Sequence, residues 1–183
     1  MRGLDLRSCL GLDPVDRKYY ASGDVLYSGD IHNANPPATL FATLDTRNSV
    51  PVLDFDSSAD ESAVFSGVLP TNYAGGGLTL IIVWMCTSAT SGTCTWEAAI
   101  ERHEDDAFDI DADGFAAANT ADGTAASATG EQQYTDITFT DGADMDSLAA
   151  GESFRIKITR NQDSGTDDIA SDVELLKIHL KET

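Results

Sequence analysis

Short hydrophobic runs alternate with polar residues along most of this 183-residue chain, and Gly, Asp, Asn and Ser separate the runs. Alternation with a period of two is typical of β-strands with one buried face. It predicts strands at residues 39–44, 50–55, 62–69, 78–87, 93–103, 134–140, 153–160 and 173–181. Short strands separated by turn signals predict an all-β protein, an antiparallel β-sandwich of jelly-roll type.

Residues 1–37 lack this strong alternation and contain Pro14, Pro36 and Pro37. We therefore predict an extended N-terminal arm over residues 1–37, with one short strand around residues 25–27, followed by a β-sandwich domain over residues 38–183. The chain is long enough for one sizeable core and short for two, so we expect a single domain.

The strands at 78–87 and 93–103 are predicted to pair as a hairpin. Alternation then places Trp84 opposite Trp96, and Cys86 opposite Cys94, on the core face. The outward side chains of the second strand form an ordinary solvated surface: Thr95, Glu97, Ala99 and Glu101.

The outward face of the first strand is apolar, and three consecutive apolar outward positions need cover. That cover comes from the arm, a second sheet or another subunit. The arm cannot bury its own apolar residues and carries a charge of +1 over residues 1–20, against −21 for the remainder. We therefore predict an interface with another subunit, either a second copy of the chain or a different protein, consisting of Ile81, Val83, Met85, Leu10, Leu12, Tyr19 and Tyr20.

Two weaker elements are expected outside these strands. Residues 104–130 contain no basic side chain, and because so long a structureless loop is unusual, we predict an edge strand at 115–120. Residues 144–150 predict a single helical turn.

The chain is strongly acidic, with 31 Asp and Glu against 11 Lys and Arg and a net charge of −20. Such a surface repels phosphates, so nucleic acid and anionic membranes are poor direct partners, and we expect neither as a partner. No segment approaches the roughly 20 apolar residues of a membrane span. The first residues lack a signal-peptide pattern, so we expect the chain to be made in the cytoplasm and kept there until assembly or lysis.

The sharpest local motif runs from Asp109 to Gly114, with carboxylates at alternate positions as in a calcium loop. The bidentate acid of an EF-hand is replaced by Thr120, and the flanking residues do not have a helical pattern. An EF-hand is therefore rejected, and we expect a solvated acidic loop rather than a cation site.

Other chemistry is not indicated. His32, His103 and His179 are scattered, and Cys86 and Cys94 lie eight residues apart, which matches no zinc spacing. We expect the two cysteines to be reduced and packed in the core. No nucleophile elbow or phosphate-binding loop is present, so we predict a non-enzymatic protein without metal or cofactor.

Three segments carry a resemblance to a known family. They are FSGVLPTNYAGGGL at 65–78, FTDGADMDSLAAGESFR at 139–155 and ELLKIHLKET at 174–183, supported by Trp84, ATSG at 89–92, Trp96 and Glu101-Arg102. Together they cover most of residues 45–183 and resemble jelly-roll virion proteins of tailed bacteriophages.

The resemblance implies a capsid decoration, or cement, protein on the outside of the virion. Its partners would be the major capsid protein and copies of itself, as a homotrimer, with no catalytic residues. The alternative is a receptor- or carbohydrate-binding β-sandwich module of a phage fibre. In that case exposed aromatic side chains would stack on sugar rings, the candidates being Tyr19, Tyr20, Tyr27 and Tyr73.

Overall fold

The computed structural model describes residues 23–183, whose regular structure is almost entirely β-strand. In chain order the strands are β1 Val25–Asp30, β2 Ala34–Asn35, β3 Thr43–Arg47, β4 Val50–Phe55, β5 Ser62–Val68, β6 Leu78–Cys86, β7 Thr93–His103, β8 Asn119–Thr124, β9 Gln133–Phe139, β10 Ser153–Arg160 and β11 Val173–Glu182. Short 3₁₀ turns lie at Ile31–Asn33 and Ala143–Met145. In this part of the chain, no helix has the length and apolar character that crossing a membrane requires.

The strands form two sheets that pack face to face. The first has the order β3-β4-β11-β6-β9, with β1 also beside β11, and the second has the order β2-β5-β10-β7-β8. All pairings between these strands are antiparallel. From β5 to β11 the chain changes sheet at every connection except β7 to β8. The predicted antiparallel β-sandwich of jelly-roll type is therefore confirmed.

The predicted hairpin of β6 and β7 is wrong. β6 pairs with β9 and β11 in the first sheet, whereas β7 pairs with β8 and β10 in the second. Trp84 and Trp96 do face the core, but they meet across the two layers, with ring centroids 6.0 Å apart. Both strands are buried along most of their length, so each takes a position with neighbours on both sides.

The last residues of the predicted arm belong to the sandwich. β1 pairs antiparallel with β11, with Val25 opposite Lys181 and Asp30 opposite Lys177, and β2 pairs with β5 in the other sheet. The first 22 residues of the arm lie outside the described residues. Because β1 and β2 bond to different sheets, the chain passes from the first sheet to the second between residues 30 and 34.

Two strands are displaced from their predicted positions. The strand expected at 39–44 begins at Thr43, because Leu40 has a left-handed backbone conformation (φ 55°) that interrupts extended structure. β3 then runs on to a tight turn at Asn48-Ser49, which joins it to β4. The expected edge strand at 115–120 lies at Asn119–Thr124, where it forms the edge of the second sheet beyond β7.

The helical turn expected at 144–150 is shorter than predicted. It is a 3₁₀ turn over Ala143–Met145, and Asp146 and Ser147 both have φ of 55°. Two successive residues in the left-handed region cannot continue a right-handed helix.

The outward face of β7 is not the solvated surface that its polar residues predict. Thr95, Ala99 and Glu101 are only 4%, 2% and 0% exposed. Over one end of the strand, the Thr95 N–H donates to the Asp167 carboxylate (3.1 Å), and the Asn161 N–H donates to the Thr95 carbonyl (2.9 Å). The segment between β7 and β8 covers the other end, so loops form a further layer on this sheet.

A candidate ligand groove on the second sheet

A groove crosses the outer face of the second sheet, on the side turned away from the core. Its floor is formed by β5 and β10, because Arg155 lies opposite Ser66 and Lys157 lies opposite Val64 in the antiparallel register. Ile156, between the two cationic residues, is 1% exposed and packs in the core. Alternation along β10 therefore directs both cations to the groove.

Two segments form the walls of this groove. Pro36 and Pro37, which follow β2, stand on one side, and Ile110 and Phe115 of the segment between β7 and β8 stand on the other. The cavity volume is about 510 Å³. The walls are therefore mostly apolar, and the floor carries polar and cationic groups.

The second wall is anchored to the sheet at two points. The Ala116 N–H donates to the Ile100 carbonyl at 2.9 Å. The Phe108 ring stacks on His103, with centroids 4.0 Å apart and an angle of 23° between the planes. These contacts hold the loop at 104–118 over β7 and give the groove a defined width.

The two cations of the floor share one aromatic neighbour. The Arg155 guanidinium carbon lies 5.0 Å from the centre of the Phe115 ring, and the Lys157 Nζ lies 5.2 Å from it. Both distances are within the range of a cation–π interaction. Arg155 also donates from Nε to the carboxylate of Glu101, which is fully buried beneath it. Phe115 is thus fixed beside the floor by two positive charges.

The predicted interface residues of β6 are mostly covered within the chain. Val83 and Met85 are 1% and 5% exposed, and Ile81 is half-buried. Cross-strand neighbours flank Val83 on both sides, Lys177 on β11 and Tyr134 on β9. The exposed apolar face that motivates the prediction of an interface is therefore small in the single chain.

The remaining predicted interface residues, Leu10, Leu12, Tyr19 and Tyr20, lie outside the described residues. Of the tyrosines considered for sugar stacking, Tyr27 packs edge-on against Phe154, with centroids 5.5 Å apart. Tyr73 is 7% exposed and donates its hydroxyl to the Gly76 carbonyl. Both side chains serve packing within the sandwich.

The acidic motif at Asp109–Gly114 is an exposed loop held by its own side chains. The Asp109 N–H donates to Asp113 Oδ2 (2.6 Å), and the Asp111 N–H donates to Asp109 Oδ1 (3.0 Å). Within residues 23–183, no group of three or more His, Cys, Asp or Glu side chains is arranged to hold a metal ion. The carboxylates act here as local turn acceptors.

Cys86 and Cys94 are both buried, and neither forms a disulfide bond. Burial raises the pKa of both thiols, which keeps them protonated at neutral pH. The two residues therefore behave as small core side chains, as predicted.

The most perturbed carboxyl group lies on the first sheet, away from the groove. Burial, followed by the negative charge of Glu174, raises the pKa of Asp54 to about 6. Asp54 is directly opposite Glu174 in the register of β4 and β11, while Glu174 forms an ion pair with Arg47 at 2.6 Å. Asp54 Oδ1 is buried and has no hydrogen-bond partner among the described residues. The charged form of Asp54 is thus unfavourable in the folded chain.

Replacing Asp54 by Asn is expected to raise the melting temperature by a few degrees at pH 7.5 and to have little effect at pH 4. The folded pKa of about 6 lies above the ordinary aspartate pKa of 3.8, so folding favours the protonated form. The stability that this proton contributes is present below pH 4 and is lost as pH rises through 6. Asn retains the neutral form at every pH. In a chain of this size, a change of 1 kcal/mol in the free energy of unfolding shifts the melting temperature by about 2–4 °C.

Asp105→Asn is the matched control for this prediction, because it removes the same charge from an exposed loop position. Thermal unfolding followed by circular dichroism from pH 4 to pH 8 measures both variants. If the two substitutions stabilise the protein equally at pH 7.5, the effect comes from the change in net charge alone. That result would contradict an explanation based on the burial of Asp54.

Comparison with known proteins shows similarity of fold only. No protein-family model and no curated protein matches the sequence. A cycloisomaltooligosaccharide glucanotransferase from Paenibacillus sp., solved with cycloisomaltoheptaose, matches 88% of this chain with a TM-score of 0.53 and 11% identity. This chain spans about a fifth of that protein, 19% of its length.

Two smaller solved domains are similar over nearly their whole length. The CBM22-2 xylan-binding domain from Paenibacillus barcinonensis Xyn10C has a TM-score of 0.48 and 12% identity, covering 86% of this chain and 99% of that domain. A mannan-recognising carbohydrate-binding module, TmCBM27, has a TM-score of 0.43 and 9% identity, covering 87% of this chain and 98% of that one.

Proposed function

We propose that this chain is a non-catalytic carbohydrate-binding module that holds a glycan in the groove on its second sheet. The observation that carries the proposal is the groove itself, about 510 Å³ in volume, with Phe115 fixed at one wall and polar groups on its floor. Ligand sites in proteins are commonly about 300–1,000 Å³, mostly apolar, with a few placed polar groups.

The lining of the groove suits the two kinds of surface that a sugar ring presents. The carbon-bound hydrogens of the ring faces pack on apolar side chains, for which Phe115, Ile110 and Pro36 are available. The hydroxyl groups need hydrogen-bond partners when they leave water, and Ser66 and Asn35 can supply them. Sheet strands carry the floor, so its polar groups are held in position before a ligand arrives.

Binding without cleavage is the simplest use of this groove. Glycoside hydrolysis normally requires two carboxyl groups on either side of the scissile bond. Among the described residues that line the groove, none is Asp or Glu. Glu101 is close by but is fully buried and bonded to Arg155. We therefore propose that a glycan is held here and not hydrolysed.

A glycan array followed by titration calorimetry tests this function. The protein is expected to bind a restricted set of glycans, and Phe115→Ala is expected to weaken that binding at least about tenfold, equivalent to about 1.4 kcal/mol. Tyr134→Ala is the matched control, because Tyr134 is an aromatic residue, 64% exposed, on the first sheet. It should leave the affinity unchanged.

A blank array would contradict the proposed function. If the protein then bound tightly to phage capsids, the result would favour the alternative implied by the sequence resemblance. In that alternative the chain is a decoration protein on the virion exterior, bound as a trimer to the major capsid protein. If Phe115→Ala and Tyr134→Ala weaken glycan binding equally, the groove is not the specific binding site.

A further inference from the structure

We infer that the ligand of this groove is an anionic polysaccharide, one that carries carboxylate or sulfate groups along its chain. The inference rests on the proposed glycan-binding function and specifies the chemistry of its ligand. It is carried by the charge of the groove, which is opposite to that of the protein as a whole.

The first observation is a lysine without an acidic partner. Most cationic side chains of the described residues are ion-paired; the pairs are Arg47 with Glu174, Arg102 with Glu104 and Glu152, Arg155 with Glu101, Arg160 with Asp167, and Lys181 with Asp136. Lys157 forms no such ion pair among these residues, and its ammonium lies instead over the Phe115 ring. That ammonium is therefore available to an anion from outside the chain.

The second observation is the geometry of Arg155. Only Nε of its guanidinium is hydrogen-bonded within the described part of the chain, to the buried Glu101 carboxylate. That bond holds the side chain in place and leaves both Nη groups without a hydrogen-bond acceptor in the same part of the chain. The Nη groups can donate to a carboxylate or sulfate oxygen, and guanidinium is well suited to such acceptors.

The third observation is the absence of acidic residues from the groove. The chain carries 31 Asp and Glu and a net charge of −20, yet none of these acids is among the described residues that line the groove. Arg155 and Lys157 are two residues apart on one strand and face the same side, with their Cα atoms about 7 Å apart along the floor. Two cations in a row match a polymer with repeated negative charges.

Asp109 and Asp111 are adjacent to Ile110 of the wall and oppose this contact in part, whereas the more distant acidic surface is screened at physiological salt. The screening length there is about 8 Å, so charges beyond it contribute little, whereas groups in contact with the ligand act in full. The remote acids would instead repel anionic polymers that do not enter the groove. The arrangement thus favours specific over non-specific binding.

The test compares charged polymers with uncharged counterparts that have the same backbone, by affinity electrophoresis and calorimetry at about 0.15 M salt. The charged probes are polygalacturonate and dextran sulfate; the uncharged ones are carboxyl-reduced polygalacturonate and dextran. We expect at least one charged polymer to bind about tenfold or more tightly than its counterpart. Lys157→Gln should reduce that preference about tenfold, and Lys157→Arg should retain most of it.

Lys177→Gln is the matched control, because Lys177 is an exposed lysine on β11 of the other sheet, and it should leave the preference unchanged. Equal binding of charged and uncharged partners, or binding only of uncharged glycans, overturns this inference and leaves the proposed function standing. If the protein binds none of these polymers and none of the glycans on the array, both this inference and the proposed function are overturned. Near-ultraviolet circular dichroism confirms that each variant is folded.

Discussion

Replacing Arg160 by Met is expected to lower the free energy of unfolding by about 3–5 kcal/mol, because it removes one partner of a buried ion pair. Arg160, at the end of β10, is fully buried, and its guanidinium lies 2.8 Å from an Asp167 oxygen. The Asp167 side chain is only 2% exposed. In the variant, this carboxylate would be left in the interior without its counter-charge.

The same guanidinium also satisfies backbone carbonyls from two other segments. The acceptors, with their distances, are Phe55 (3.4 Å), Asp56 (3.3 Å), Ser171 (2.9 Å) and Ile169 (2.6 Å). Arg160 therefore joins the end of β4 to the segment between β10 and β11. Methionine fills a similar volume but donates no hydrogen bond, so these carbonyls lose a partner.

Urea denaturation measures this effect, with Lys181→Met as control. Lys181 forms an ion pair with Asp136 at 3.6 Å, and the Asp136 side chain is 52% exposed. Exposed pairs contribute about 0–1 kcal/mol, so the control should change stability little. A loss below about 1 kcal/mol in Arg160→Met would show that water replaces the guanidinium in the folded protein.

Replacing Trp96 by Ala is expected to cost a similar amount, about 3–5 kcal/mol, through loss of buried apolar area and creation of a cavity. Trp96 is fully buried where the two sheets meet. Its ring lies edge-on to Phe55 at 5.1 Å and to Trp84 at 6.0 Å between centroids. Since these partners belong to the opposite sheet, the substitution weakens the contact between the layers.

Trp96→Phe separates the aromatic contact from the indole N–H. The Trp96 Nε1 group is buried and has no hydrogen-bond partner among the described residues, whereas Trp84 Nε1 donates to Thr135 Oγ1 at 2.9 Å. Trp96→Phe should therefore be less costly than Trp84→Phe, which also leaves Thr135 without its donor. Chemical denaturation measures the loss of stability in both variants. A larger loss in Trp96→Phe than in Trp84→Phe would contradict the different roles given to the two indole N–H groups.

Alternation along the chain predicts individual strands well. The predicted bounds of 50–55, 93–103 and 153–160 coincide with Val50–Phe55, Thr93–His103 and Ser153–Arg160. In each of these strands the core-facing side chains are regularly apolar, and such alternation can be recognised from the local sequence. Where a single backbone conformation interrupts the strand, as at Leu40, the hydrophobic pattern carries no sign of it.

The candidate site is only partly predictable from the sequence. Alternation on β10 places Arg155 and Lys157 on the outward face of the strand, and the folded chain has both side chains there, in the groove. The sequence predicts Phe115 only as the first residue of an edge strand. Its position beside the two cations depends on how the loop at 104–118 folds over β7, which involves contacts between residues far apart in the sequence.

The fold class, and the side of each strand that faces the core, can be read from the amino-acid sequence alone, since both follow from the alternation of apolar and polar residues. The neighbours of each strand, and the cover over its outward face, become apparent only in the folded chain. Trp84 and Trp96 meet across layers rather than within a hairpin, and Val83 and Glu101 are buried although they point outward. This difference arises because the pattern of one strand reflects its own buried face, while strand pairing and the cover of outward faces depend on contacts between residues far apart in the sequence.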